Sequence, residues 1–441
     1  MRFAILFSLL FAHNTRGSTS TASHNSPEKK YSEVLSFPDS VSKALRQNPD
    51  LLKIRTQAES MRIRAELALA PNNPQIFYNK HNAAELSAGS RGASDEIGVS
   101  FQVNFPGKSI LNSQSLEAQA RGGIAQAKLK ELEVILRLGQ SFLNFDVSVR
   151  ALEMIDSSLS RSQMLLEILQ KKFVVGNATQ VDLMSLKAQR AELELEKIVR
   201  QHQLEQSLLN FRSLIQEPDS AFVPERTSIL EFLPIPYSIE KMYQIALKNN
   251  LDLKATESFA KSSQLMVSAT RLEAFPDFTF SAGIQAYNEP NAQAIPGVNR
   301  DFNFGISTSI PLFFPWSEWS KLQANKKDAL SWDYEYQKKK LEIRTLITRL
   351  VGEYETHRSQ LKSMIENIIP LNRASYEISL RTYSIGKSDY LRLKDAHESY
   401  LEALKRVLEM ELTTAQSQQD LLLAVGCDFL RRSPVYVCQE E

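Results

Sequence analysis

The chain has 441 residues, room for two or three domains, and its 43% hydrophobic content is ample for a core. Its 52 basic and 51 acidic residues are dispersed and leave a net charge of +1, so no basic stripe marks a nucleic-acid partner. No apolar run reaches the roughly 20 residues that a membrane-crossing helix needs, so any membrane-spanning part must be β.

At the N-terminus, Met1-Arg2 precedes an apolar run from Phe3 to Ala12 and a polar, small-residue stretch ending in Ser20-Thr21-Ala22. A basic start, an apolar run of about ten residues and a small-residue end read as a cleaved secretory signal over 1–22, followed by a polar tail over 23–36. No Cys follows it, which excludes a lipid anchor at the mature N-terminus.

The rest of the chain is predicted to be internally duplicated. The segment Ala44-Leu45-Arg46-Gln47-Asn48-Pro49-Asp50-Leu51 recurs as Ala246-Leu247-Lys248-Asn249-Asn250-Leu251-Asp252-Leu253. Pro74 recurs as Pro276, and Phe173 to Gly176 as Tyr383 to Gly386. Each half is expected to hold a helix, a strand pair, a very long helix, a tight turn and a return helix. The first repeat covers 37–216 and the second 238–426. Between them, 217–237 carries Pro218, Pro224, Pro234 and Pro236, which block regular structure.

Within each half the apolar period switches from about 3.6 to 2, which locates β-hairpins at 75–105 and 277–310. Val99, Phe101, Val103 and Phe105 alternate with polar residues, as do Phe278, Phe280, Ala282 and Ile284, and then Phe302, Phe304, Ile306 and Ile310. Gln75 to His81 is a weaker fourth strand. This alternation fits lipid outside and water inside in a transmembrane barrel; a soluble half-buried sheet would show it too. Four strands cannot close a barrel alone, since small closed barrels need about eight, so the barrel reading requires an oligomer. The segments between paired strands, rich in Asn, Ala, Gly and Pro, are the expected outward loops.

From Trp316 to Val425 apolar residues recur at three- and four-residue steps: Leu346, Leu350, Tyr354, Leu361, Ile365 and Ile368, then Tyr390, Leu393, Tyr400, Leu404 and Val407. This is a helical hairpin turning at 383–389, matched in the first half by a turn at 173–179. Its first arm, unbroken to Tyr383, would run about 100 Å at roughly 1.5 Å per residue. Pro370 is expected to bend that arm rather than end it. The C-terminal tail, 427–441, holds the two cysteines, Cys427 and Cys438, which either form a small disulfide loop or stay as free thiols.

Enzyme chemistry finds no residues to rest on. Gly107-Lys108-Ser109 resembles the end of a phosphate-binding loop, but Gln102 stands where the first Gly is needed. No two of the six histidines stand four apart on a helix, so there is no H-E-x-x-H metal site, and no G-x-S-x-G elbow is present.

The signal, the two repeats of helix, β-hairpin and long helical hairpin, the Asn48-Pro49 segment, the Pro74 and Pro276 positions before the strands and the two hairpin tips together resemble the outer-membrane efflux proteins typified by TolC. The resemblance covers about 37–426. Ile310-Pro311-Leu312-Phe313 before the last long helix looks closer to the heavy-metal-efflux subfamily typified by CzcC. The resemblance implies a mainly helical fold with transmembrane β: long antiparallel hairpins forming an α-barrel, and four strands per protomer in a 12-stranded barrel of a homotrimer in outer-membrane lipid. It implies an exit duct for small molecules, drugs or metal ions, working across the periplasm with an inner-membrane pump of RND or ABC type through a periplasmic adaptor. The pump supplies the energy, so no cofactor is expected.

The resemblance also implies site residues. The tips Val175, Gly176, Asn177 and Thr179, and Ile385, Gly386, Lys387 and Ser388, match the adaptor-docking positions. Asp182 and Tyr383 match a pair that holds the entrance closed. Asp395 matches one position of a carboxylate ring narrowing that entrance; the other ring position is Arg392 here, which would cancel its charge, and Ser388 replaces an Arg of the family. The competing readings are a duct for polypeptide secretion and, in a different class, an exported soluble coiled-coil scaffold.

Overall fold

A computed structural model describes residues 33–81, 94–226, 232–287, 300–309 and 317–426. The signal segment, both hairpin loops, Ile310-Pro311-Leu312-Phe313 and both cysteines lie outside these residues.

A two-residue strand, β1 (Val34–Leu35), leads into α1 (Phe37–Gln47) and α2 (Pro49–Leu67). Asn48 separates the two helices: its side-chain oxygen accepts from the Leu51 amide at 3.1 Å, and Pro49 supplies a first helical residue that needs no N–H partner. Next come β2 (Gln75–His81), β3 (Ser94–Val103), α3 (Lys108–Val174), α4 (Gln180–Leu214) and β4 (Val223–Pro224). β4 pairs in parallel with β1, although the prolines of 217–237 are expected to keep that segment irregular; the bonding amides are those of Val223 and Glu225, so Pro224 lacks none that the pair needs. The chain continues through α5 (Ile239–Asn249), α6 (Leu251–Leu272), β5 (Phe278–Tyr287), β6 (Arg300–Thr308) and α7 (Glu318–Ser363). Then come α8 (Ile369–Ser384) and α9 (Tyr390–Val425). Asn250 caps α6 as Asn48 caps α2, accepting from the Leu253 amide at 2.8 Å, so the recurrent segment is a recurrent helix break.

The four longer strands form one antiparallel sheet in the order β2-β3-β5-β6, joining the two halves at β3 and β5. β3 ends at Val103, two residues short of the expected limit. Phe105 instead stacks on Phe275 at 4.6 Å, and its amide donates to Asp277 at 2.7 Å, which turns the chain toward α3.

At 67 residues α3 spans about 100 Å at 1.5 Å per residue. No helix that long is stable alone, and α3 finds successive partners. Its first part packs on α2 and α6, where Gly123 lies against Ala58 and Ser115 bonds Ser262. Its later part packs on α4 and α9. Cores recur along this length. Leu138 and Phe142 of α3 pack with Phe211, Ala44 and Leu35. Met242 and Ala246 pack with Ile347, Leu421 and Val425. Each fully buried large side chain contributes about 1.5–3 kcal/mol.

Arg150 of α3 binds Glu411 of α9 through both terminal guanidinium nitrogens and makes a 2.8 Å charge contact with Asp146. Asp146 also faces Arg226 at 3.4 Å, and Arg226 reaches Glu153 at 2.9 Å. Three segments far apart in sequence are thereby tied together.

Pro370 changes the hydrogen-bond register of the arm. One π-helical turn, Met364–Ile368, precedes it, closed by the Ile369 amide donating to Met364. The proline ring would meet the carbonyl of Glu366, and the wider turn moves that carbonyl aside. The extra residue rotates the buried stripe by about 100°. Leu361 and Met364 are therefore followed inward by Ile369 and Tyr376, while Ile365 and Ile368, expected on the stripe, face outward.

Candidate functional site

Two regions combine exposure with unusual chemistry: the sheet and the hairpin tips at the far end of the helices. In the sheet the register puts like with like. Ile97 stands opposite Tyr78 and Ile284, and Ile284 opposite Phe302; Phe101 stands opposite Phe280, and Phe280 opposite Ile306. Directly opposed residues share a face, so one continuous apolar face results. It is bare: Ile76 is 79% and Phe304 84% exposed.

The other face carries Ser100, Ser281, Gly98, Gly283 and a polar row. Asn79 donates to Glu96 at 3.3 Å, Asn303 to Gln285 at 3.1 Å, and Gln285 to Ser94 at 2.8 Å. Among the described residues β2 and β6 each have one neighbour, so both sheet edges present unpaired backbone groups.

At the far end, α3 passes to α4, and α8 to α9, through matching turns. Gly176 and Gly386 have φ of +76° and +74°, the left-handed region, and the amides of Asn177 and Lys387 close back onto Lys172 and Thr382 at 2.8 and 2.9 Å. A Cβ at either glycine would meet nothing within 4 Å, so conformation and not space selects Gly. Val175, Asn177, Thr179, Ile385 and Lys387 lie exposed on these turns and Ser388 is half-buried. Val174 (83% exposed), Val181 and Leu391 extend the apolar surface of the tips; bulky apolar residues flanking a turn were the signal that would have added them.

Thr179 and Asp182 form a reciprocal cap on α4, each side chain accepting from the other's amide, at 3.1 and 3.0 Å. Tyr383 is 5% exposed among Leu165, Leu169, Leu186 and Leu393, and its hydroxyl has no hydrogen-bond partner. Burial first, and the Asp182 charge second, push that hydroxyl above its ordinary pKa. The structure thus brings Asp182 and Tyr383 into electrostatic reach without joining them. Arg392 and Asp395 are both exposed on α9 and form no ion pair with each other. The Arg392 amide donates to Asp389, the residue that caps α9.

Further up the hairpins Tyr390 reaches across to Gln189 at 3.3 Å, and Gln189 to Glu398 at 3.3 Å. Lys405 donates to Glu196 at 2.7 Å. Burial opposes the charge of Glu196, but the bonds from Lys405 and Arg200 outweigh it and hold the carboxyl below its usual range.

His397, 3% exposed, packs on Tyr376 at 5.0 Å with no partner for Nε2. Burial, helped by the Arg161 charge, lowers its pKa from 6.5 to about 4. Above pH 6.5 the ring is neutral folded or unfolded and has no effect. Between about 6.5 and 4 the unfolded chain takes up a proton that the native state refuses, so stability falls with pH across that window. The expected loss is on the order of 2–3 kcal/mol. Unfolding followed from pH 7 to 4 should show this loss in the parent and a smaller one in His397→Phe.

Among the described residues no helix is long and apolar enough to cross a membrane, and no group of His, Cys, Asp and Glu could hold a metal ion.

This fold is that of solved outer-membrane channels. The chain is similar to CusC, described for its conformational changes on folding and transmembrane channel formation, at 16% identity, 88% of this chain, 92% of that chain and a TM-score of 0.74. It is similar to the outer-membrane channel OprN at 17% identity, covering 88% and 89%, with a TM-score of 0.73. It is likewise similar to the outer membrane protein VceC of Vibrio cholerae at 16%, covering 88% and 96%, with a TM-score of 0.72. No curated protein matches the chain. By sequence, residues 242–427 match the outer membrane efflux protein family. The family resemblance read from the residues therefore holds.

Proposed function

We propose that the chain is one protomer of an outer-membrane exit duct, three copies closing a 12-stranded barrel that continues into an α-helical tunnel. The observation that carries this reading is the sheet: a bare apolar face, a face of small and polar residues broken only by Phe77 over Gly98, and two unpaired edges. In a bilayer no water satisfies those edges, so they must be closed by neighbouring strands. β2 of one copy beside β6 of the next does this, and the unclosed sheet of a soluble scaffold would leave Phe302, Phe304 and Ile306 in water.

The polar face would then line the water-filled bore, and the tips, with Val174, Val175 and Ile385 outermost, would meet a periplasmic adaptor that couples the duct to an inner-membrane pump. Tyr383, Asp182, Arg392 and Asp395 would lie at the entrance. The cargo is small molecules, in keeping with the efflux family match over residues 242–427.

Negative-stain imaging of protein extracted from outer membranes in detergent should show a threefold, tapered particle longer than about 100 Å, as the rise of α3 requires. Two-stranded rods in the soluble fraction would replace the duct with a scaffold.

A further inference from the structure

We infer that Lys172 is the latch that holds the two hairpins of each protomer together at the tunnel entrance, gripping Tyr383 by its carbonyl and ring rather than by its hydroxyl. The inference deepens the duct reading and rests on it.

If the entrance is to widen, the α3/α4 hairpin must part from the α8/α9 hairpin. Toward the tips the polar contacts between them form a ladder: Glu196 with Lys405, then Gln189 with Tyr390 and Glu398, and last Lys172 with Tyr383. Lys172 is the terminal rung, four residues before the turn glycine, where separation has to begin.

Its ammonium group donates to the Tyr383 carbonyl at 2.5 Å and stands 4.0 Å from the centroid of the same residue's ring. That carbonyl lies in the last turn of α8, where it also accepts the Gly386 amide of the turn at 3.1 Å and where the helix dipole presents its negative end, so Lys172 takes its second lone pair. A cation is therefore favoured there twice, by the helix terminus and by the aromatic face.

The Asp182 carboxylate is occupied by the Thr179 amide, and the Tyr383 hydroxyl has no partner, so neither supplies the cross-hairpin bond in this arrangement. Nor is there a second copy of the device. Thr382 stands where Lys172 stands on the other hairpin, and its hydroxyl returns to Ile378 and Ser379 of its own helix at 3.0 and 3.1 Å. The latch is one-sided, from the first hairpin onto the second.

The test is single-channel conductance of purified full-length protein in planar bilayers. Lys172→Met should raise conductance several-fold while the thermal midpoint of the assembled particle stays at the parent value. Lys172→Arg, which keeps a cation within reach of the carbonyl and ring, should return conductance to the parent level. Tyr383→Phe, which keeps both the carbonyl and the ring, should also match the parent. If Lys172→Met fails to assemble, Lys172→Gln carries the same expectation. Parental conductance in the uncharged variant would overturn the latch, as would a rise in Tyr383→Phe equal to that in Lys172→Met, which would assign the grip to the hydroxyl. A parent that opens no channels would overturn the duct, and the latch with it, and is distinguishable because it precedes any comparison of variants.

Discussion

Phe304→Arg should abolish assembled particles in the outer membrane, while Ser307→Arg, three residues along the same strand, should leave them in place. The two positions lie on opposite faces of β6: Phe304 pairs with Ala282 on the apolar face, and Ser307 with Thr279 on the polar one. If the apolar face meets lipid, an arginine at mid-depth costs about 2–4 kcal/mol, and the cost recurs in every protomer. Polar-face positions would point into water, where an added guanidinium is solvated. Heat-sensitive oligomer bands in membrane fractions would read the difference. Tolerance of Phe304→Arg, or loss of assembly in Ser307→Arg alone, would mean that the faces are assigned the wrong way round or that lipid is not the solvent.

Arg150→Ala should destabilise the folded helices by about 3–5 kcal/mol, because it leaves Glu411, 7% exposed, as a buried charge without its partner. Asp146 suffers less, since Arg226 still faces it at 3.4 Å. Replacing both partners with apolar residues, Arg150→Met with Glu411→Leu, should cost much less than Arg150→Ala alone. The burden lies in the orphaned charge more than in the lost attraction. A double-mutant cycle on urea unfolding separates the two, provided each variant stays folded at zero denaturant. A single-variant loss within about 0.5 kcal/mol would show that water reaches Glu411 in the assembled protein.

Local pattern carried much of the fold. Period-two alternation marks the strands because side chains on a strand point to alternate faces whatever the strand pairs with. The single helix expected before the strands of each half is two, because the Asn48 and Asn250 side chains cap a new helix there, which a recurrent segment read only as a repeat marker did not show. Gly176 and Gly386 mark the tips because a left-handed turn selects glycine locally. The overall order of these signals also carried the family resemblance, which no single motif did.

What the residues could not show alone is partnership across distance. Alternation says which face a strand buries but not its neighbour, so the pairing of β3 with β5 across the two halves came from the tertiary structure. The π turn before Pro370 follows from a clash with one carbonyl, and its rotation of the apolar stripe is invisible to a pattern read at a constant period. Lys172 and Tyr383 are 211 positions apart, and Arg150 and Glu411 are 261 apart. In the sequence Lys172, Arg150 and Glu411 are each one more dispersed charge on a solvated helix face. Only when the hairpins lie side by side does burial remove the water that screened them, and only then do these particular charges tie one half of the chain to the other.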